Sequence, residues 1–139
     1  MENERGKIHS PARARQLRDF SGLLIGTITP TDIDGLIEYH NIAYIIIEAK
    51  HRDKEMDYGQ NLAFERLCDD LEKSGKKTIL IIARHDVDDP NIDIDMANTK
   101  VVKFRRDNSW LGLGNDSTLT TIQLIRSFIE NIRSKEVQW

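Results

Sequence analysis

Thr31-Asp32-Ile33-Asp34-Gly35-Leu36-Ile37-Glu38 and Tyr44-Ile45-Ile46-Ile47-Glu48-Ala49-Lys50, joined through His40-Asn41, are the stretches whose reading decides the fold. Isoleucine-rich runs on either side of a turn-forming pair read as a β-hairpin. Side chains alternate along a strand, so Asp32, Asp34 and Leu36 share one face of the first strand. Tyr44, Ile46, Glu48 and Lys50 share one face of the second. A turn centred on Asn41 sets Asp34 opposite Glu48 and Asp32 opposite Lys50. A slip of one residue would send the two carboxylates to opposite faces. Like charges opposed on a sheet destabilise it unless something neutralises them. A hard divalent cation, Mg²⁺ or Mn²⁺, does so through carboxylate, carbonyl and water oxygens.

Elements follow on both sides of the hairpin. Upstream, Pro11 fits the first turn of a helix to about Phe20, with Ala12, Leu17 and Phe20 inward, and Leu23–Ile28 reads as a first strand. Downstream, the polar link His51–Asp57 leads into a helix over Asp57–Lys73 that Ser74-Gly75 ends. Its inner stripe is Phe64, Leu67, Cys68 and Leu71, and one turn back from Phe64 lies Gln60, which places that amide on the buried side near Lys50. Thr78–Arg84 reads as a central strand buried on both faces, Asp86–Asp95 as an acidic surface loop, and Val101–Arg106 as an outer strand. Trp110 to Gly114 reads as a turn region, and Asp116 or Ser117 caps a last helix to about Arg133, with Leu119, Ile122, Ile125, Ile129 and Ile132 inward. The order α-β-β-β-α-β-β-α describes an α/β sandwich with a mixed sheet. Residues 1–10 are polar and expected to be mobile, leaving 11–139 as a single domain.

Composition bounds the rest. A chain of 139 residues, 39% hydrophobic and 31% charged, supports one domain with a core. The net charge of −3 gives no global basic field. Locally, Arg5, Lys7, Arg13, Arg15 and Arg18 make the N-terminal segment basic, and Lys100, Lys103, Arg105 and Arg106 form a second cluster. Either can follow a phosphate backbone, and a solvated, lysine-guarded outer strand accounts for the second cluster equally well. Cys68 is the single cysteine, so no internal disulfide forms and a reducing, cytoplasmic setting is expected, with no membrane association. None of the four histidines has zinc-site spacing.

At Ile33-Asp34-Gly35 and Ile47-Glu48-Ala49-Lys50 the chain resembles the PD-(D/E)XK nuclease superfamily, whose signature is an Asp on one strand and Glu/Asp-x-Lys on the next. The spacing of fourteen positions is similar to that of RecB-type nuclease domains and Holliday-junction resolvases. The resemblance runs at motif level from about Phe20 to Leu71. It implies a restriction-endonuclease-like α-β-β-β-α-β core and a deoxyribonuclease that uses Mg²⁺ or Mn²⁺ to hydrolyse phosphodiesters of DNA, leaving a 5′-phosphate and a 3′-hydroxyl. Asp34, Glu48 and the Ala49 carbonyl would hold the metal, and Lys50 would orient the attacking water or stabilise charge on phosphorus. Gln60 would help order the site, Asp32 would support it, and Arg13, Arg15 and Arg18 would contact nucleic acid. Many members carry a glutamate on the first helix, where this chain offers only Asp19, so a single metal is expected. With no room for a sequence-reading domain, specificity falls to homodimerisation, DNA structure or a partner. Two other readings stand beside this one. The first is a catalytically inactive nucleic-acid- or partner-binding module on the same fold, and the second is an interaction protein working through Asp86–Asp95.

Overall fold

The computed structural model describes residues 10–14, 16 and 19–136. It divides into two units, Met1–Asp32 and Ile33–Trp139. The stretch expected to be mobile lies outside the described residues up to position 9, as do Arg15 and Arg18.

In the first unit the expected helix to Phe20 shortens to α1 (Pro11–Ala14). Asp19 and Phe20 are not helical. The Asp19 carboxylate accepts from the Ser21 amide (3.1 Å) and hydroxyl (2.6 Å), a local bond that competes with helix continuation. No strand forms over Leu23–Ile28 either. Ser21–Leu23 is a 3₁₀ turn, and Ile25 and Ile28 exchange backbone hydrogen bonds across Gly26 and Thr27. Gly26 takes φ 59°, which only a residue without Cβ adopts freely, and the segment folds back on itself instead of extending. Leu23, Leu24, Ile25 and Ile28 are left exposed.

The second unit is a five-stranded mixed sheet flanked by two helices. Its elements are β1 (Gly35–Tyr39), β2 (Ala43–His51), α2 (Tyr58–Lys73), β3 (Lys77–His85), β4 (Lys100–Arg106), β5 (Ser109–Gly112) and α3 (Thr121–Glu136). The strands lie in the order β1-β2-β3-β4-β5, with β2 and β3 parallel and the other neighbours antiparallel. The Leu23–Ile28 strand is thus replaced in the architecture by one at the other end, β5, where a turn region was expected. Asp107 and Asn108, at φ 51° and 64°, make the two-residue turn that joins β4 to β5. Two left-handed residues match the twist of the flanking strands.

The first hairpin has the expected register. His40 and Asn41 take φ 47° and 59°, and the Ile42 N–H closes the turn on the Tyr39 carbonyl (2.8 Å). Tyr39 then pairs with Ala43 and Gly35 with Ile47.

Apolar residues on both faces of β2 and β3 build two cores. On one face Ile45, Ile47, Ile79 and Ile81 pack with Ile125, Phe128 and Ile132 of α3. On the other, Ile46, Leu80 and Ile82 pack with Phe64 and Cys68 of α2. The α2 stripe is narrower than its periodicity suggests, since Leu67 is exposed. Helix α2 stops at Gly75, φ 93°, where the Lys76 N–H reaches Leu71 C=O and the Gly75 N–H reaches Glu72 C=O, both at 3.0 Å.

The final helix begins later than Asp116 or Ser117. Thr120 Oγ1 accepts from the Gln123 N–H (3.3 Å), and Gln123 Oε1 accepts from the Thr120 N–H (2.9 Å), so Thr120-Thr121-Ile122-Gln123 is a capping box. Replacing Thr120 by Ala is expected to lower unfolding stability by about 1 kcal/mol. Denaturant midpoints at unchanged m-value measure it, and a neutral result would show that the cap does not hold α3.

Candidate functional site

The site gathers where β2 ends on the α2 face of the sheet. Glu48 continues the row of Ile46 yet carries a carboxylate, and it is only 3% exposed. Asp34 precedes β1 directly and is exposed. The two acids clasp across the hairpin's open end. The Ala49 N–H donates to Asp34 Oδ2 (2.9 Å), and the Asp34 N–H donates to Glu48 Oε2 (3.4 Å). Each carboxylate thus holds backbone of the other's strand, fixing the acids side by side. On the other side of Glu48, the Gln60 Nε2 of α2 donates to Oε1 (3.0 Å) and the Lys50 ammonium lies 3.3 Å from the same atom. Lys50 also donates to Gln60 Oε1 (3.1 Å). The amide therefore bridges carboxylate and ammonium, with its oxygen toward the cation and its nitrogen toward the anion.

Burial raises the Glu48 pKa above the ordinary glutamate range. The negative charge of Asp34 adds to the rise, and the Lys50 ammonium and the hydrogen bonds oppose it. The balance leaves a carboxylate that is stabilised by any further positive charge placed beside it.

Among the described residues no three His, Cys, Asp or Glu side chains converge as a metal-binding group, so a cation here would rest on Asp34, Glu48, a backbone carbonyl and water. Magnesium retains several waters and binds through one or two carboxylates, so two acids suffice for it. Zinc, which favours nitrogen and sulfur ligands in a closed tetrahedron, does not suit an all-oxygen pair.

Asp34, Glu48, Ala49, Lys50 and Gln60 are thus brought together as their spacing predicts. Asp32 is exposed and belongs to the first unit, and the β1–β2 ladder begins at Gly35. Arg13 is exposed on α1 of that same unit.

The sequence reading missed two neighbouring arrangements. Arg52 Nη2 reaches both Asp88 oxygens (2.8 and 2.7 Å), and His51 Nε2 lies 2.8 Å from Asp88 Oδ1, so the β2–α2 loop is tied to the acidic loop after β3. That clamp holds the Asp88 pKa below the usual carboxylate range. The Arg84 guanidinium, paired in register with Lys50, donates to the Asn115 carbonyl (2.6 Å) and to Asp86 (2.7 Å). An arginine closing a strand that ends in a run of aspartates was the available signal.

No protein-family model, curated protein or solved structure matches the chain. No helix among the described residues is long and apolar enough to cross a membrane.

The raised Glu48 pKa has a definite consequence for stability. A carboxyl whose folded pKa lies above its unfolded one stabilises the fold below the unfolded pKa, and that contribution is lost as pH rises through the folded value. Glu48→Gln removes the titration. The variant is expected to gain stability relative to wild type as pH climbs from the ordinary glutamate range to the raised value, then to keep a constant difference. Denaturant melts between pH 4 and 8 measure it, and parallel wild-type and variant curves would refute a buried, raised Glu48.

Proposed function

We propose that this chain is a small metal-dependent nuclease of PD-(D/E)XK type that hydrolyses DNA phosphodiesters with one Mg²⁺ or Mn²⁺. The reading rests on one observation above others: two carboxylates, one just ahead of β1 and one on β2, lie clasped beside an ammonium that a glutamine holds in place. A structural ion pair alone needs Glu48 and Lys50 but gives no reason for Asp34 to add a second negative charge that raises the Glu48 pKa.

Asp34, Glu48 and the Ala49 carbonyl would hold the cation. When bound, the metal lowers the pKa of a coordinated water and offsets charge on the phosphate. The chain's own residues do the rest. Lys50, fixed by Gln60 and Glu48, presents one N–H to the attacking water or to a non-bridging phosphate oxygen as negative charge grows there. Half-burial of Lys50 at the sheet end keeps that interaction less screened than at an open surface. Gln60 fixes direction: its amide cannot satisfy both Lys50 and Glu48 in the reverse orientation. Water adds to phosphorus, the bond to the 3′ oxygen breaks, and the products are a 5′-phosphate and a 3′-hydroxyl. The ends of the parallel strands β2 and β3 are where α/β sheets commonly present ligand sites.

Incubation with plasmid, linear and branched DNA plus Mg²⁺ or Mn²⁺ tests the reading. Cutting is expected to need the metal, to stop with chelator, and to fall by about 10²-fold or more in Asp34→Asn and Lys50→Ala. Gln60→Ala is expected to lower turnover with little change in KM, since it orients Lys50 without touching DNA. Cutting that survives Asp34→Asn, or no cutting under any of these conditions, would exclude the assignment.

A further inference from the structure

A cleft of about 190 Å³ opens beside Lys50, on the side away from Asp34. Beside it, β4 carries an extra residue. Ile82 pairs with Lys103 and Ala83 with Val101, leaving Val102 bulged between them. The bulge lets Val101 and Phe104, three positions apart, both reach the α3 core, and turns Lys103 toward the α2 face. The bulged Val102 carbonyl accepts the Leu113 (2.7 Å) and Gly114 (3.1 Å) amides, which draws the chain after β5 into the cleft wall. The bond from Arg84 to the Asn115 carbonyl pins that wall from the other side.

Lys50, Ile82, Met56 and Lys103 are among the less exposed residues lining the cleft. Glu48 pairs with Ile82 and Ile82 with Lys103, so the acid and the second lysine stand in one row of the sheet. Two strand spacings, about 9 to 10 Å of backbone, separate them. Lys103 lies over the Trp110 ring at 4.7 Å, and Trp110 is fixed by its Nε1–H bond to Glu65 (3.0 Å), which Asn61 also holds (2.8 Å). No carboxylate of the described residues pairs with Lys103. The rim bears Asp53 and Glu55 as well as Arg52 and Lys54, all exposed and of both signs, and Arg52 is already taken by Asp88. With Lys50 paired to Glu48, Lys103 is the half-buried lining cation left without a carboxylate among the described residues.

We infer that this cleft holds the phosphodiester next to the one being cut, with Lys103 as its anchor, so that the substrate is a strand continuing past the scissile bond toward β4. The inference takes the identity of its ligand from the nuclease reading and assigns it a direction. A half-buried, carboxylate-free ammonium set on a fixed aromatic and one row from the acids is a cation looking for an anion. A lysine set on a fixed ring spares the ordering cost that a mobile surface lysine would carry.

Binding measured without metal separates the two claims. Fluorescence anisotropy of a labelled oligothymidylate with chelator present is read for wild type, Lys103→Ala and Lys103→Arg across a salt series, with thermal melts to verify folding. Lys103→Ala is expected to weaken binding several-fold and to flatten the salt dependence by about 0.7 in log K per log salt, the loss of one phosphate contact to a single strand. Lys103→Arg is expected to restore both. The inference fails if wild type does not bind, if Lys103→Ala binds with the wild-type slope, or if arginine does not restore binding. It fails equally if polyglutamate of the same length displaces the oligonucleotide as well as unlabelled oligothymidylate does, which would point to an acidic protein partner. Lys103-dependent binding without any cutting would keep the cleft and remove the nuclease. Cutting with Lys103-independent binding would do the reverse.

Discussion

A carboxylate taken out of water at the end of a central strand is the constraint around which the second unit is arranged. Glu48 sits where the Ile46 row would continue, nearly closed to solvent. An ionised group there is tolerable only with hydrogen bonds and opposite charge in contact. The chain supplies them from three places: the Asp34 N–H ahead of β1, Lys50 two residues along β2, and Gln60 in the first turns of α2. Each supply route restricts the fold. The hairpin must keep its register, α2 must enter over the end of β2, and its Phe64 and Cys68 must seat on Ile46, Leu80 and Ile82 for Gln60 to arrive. Packing and polar satisfaction thus point to the same placement of the helix, a consistency expected of a sequence that specifies one structure.

The hairpin and the residues it unites were readable because period-two alternation and a short turn centred on Asn41 fix geometry from local sequence alone. Gln60 was readable because helical periodicity back from Phe64 set its side. The first unit was not. Leu23–Ile28 has the composition of a strand, but composition cannot report that Gly26 turns the chain back on itself. The opposite error occurred at β5, a short strand whose residues look like a loop and whose pairing depends on β4. Asp107-Asn108 was the overlooked signal, a pair that tolerates left-handed backbone. Thr120 was missed as a cap because Asp116 and Ser117 are equally good cap residues by type, and only the Gln123 side chain returning to Thr120 chooses between them.

The bulge at Val102 shows a harder limit. Val101–Arg106 looks like an alternating outer strand, yet alternation there breaks, and β4 lies one strand in from the edge. One inserted residue inverts the phase of everything before it. Beyond the bulge the basic residues do not all face water: Arg105 is buried, paired with Asp69 of α2 (2.6 Å) and with Asn108 of the β4–β5 turn (2.6 Å). No single-residue preference reveals a bulge whose cause is the shape of two cores on opposite sides of a sheet.

The connections of the sheet also bear on how the unit assembles. Asp34, Glu48 and Lys50 belong to one hairpin whose ends meet over a short turn, and β3, β4 and β5 follow one another as antiparallel neighbours. The parallel joint between β2 and β3 alone must span all of α2. Loop-closure entropy places such a distant pairing late. The order expected on that ground lets the two acids meet while water still surrounds them and postpones the dehydration of Glu48 until α2 and β3 dock, so that the electrostatic strain of the site falls on that docking and not on the hairpin.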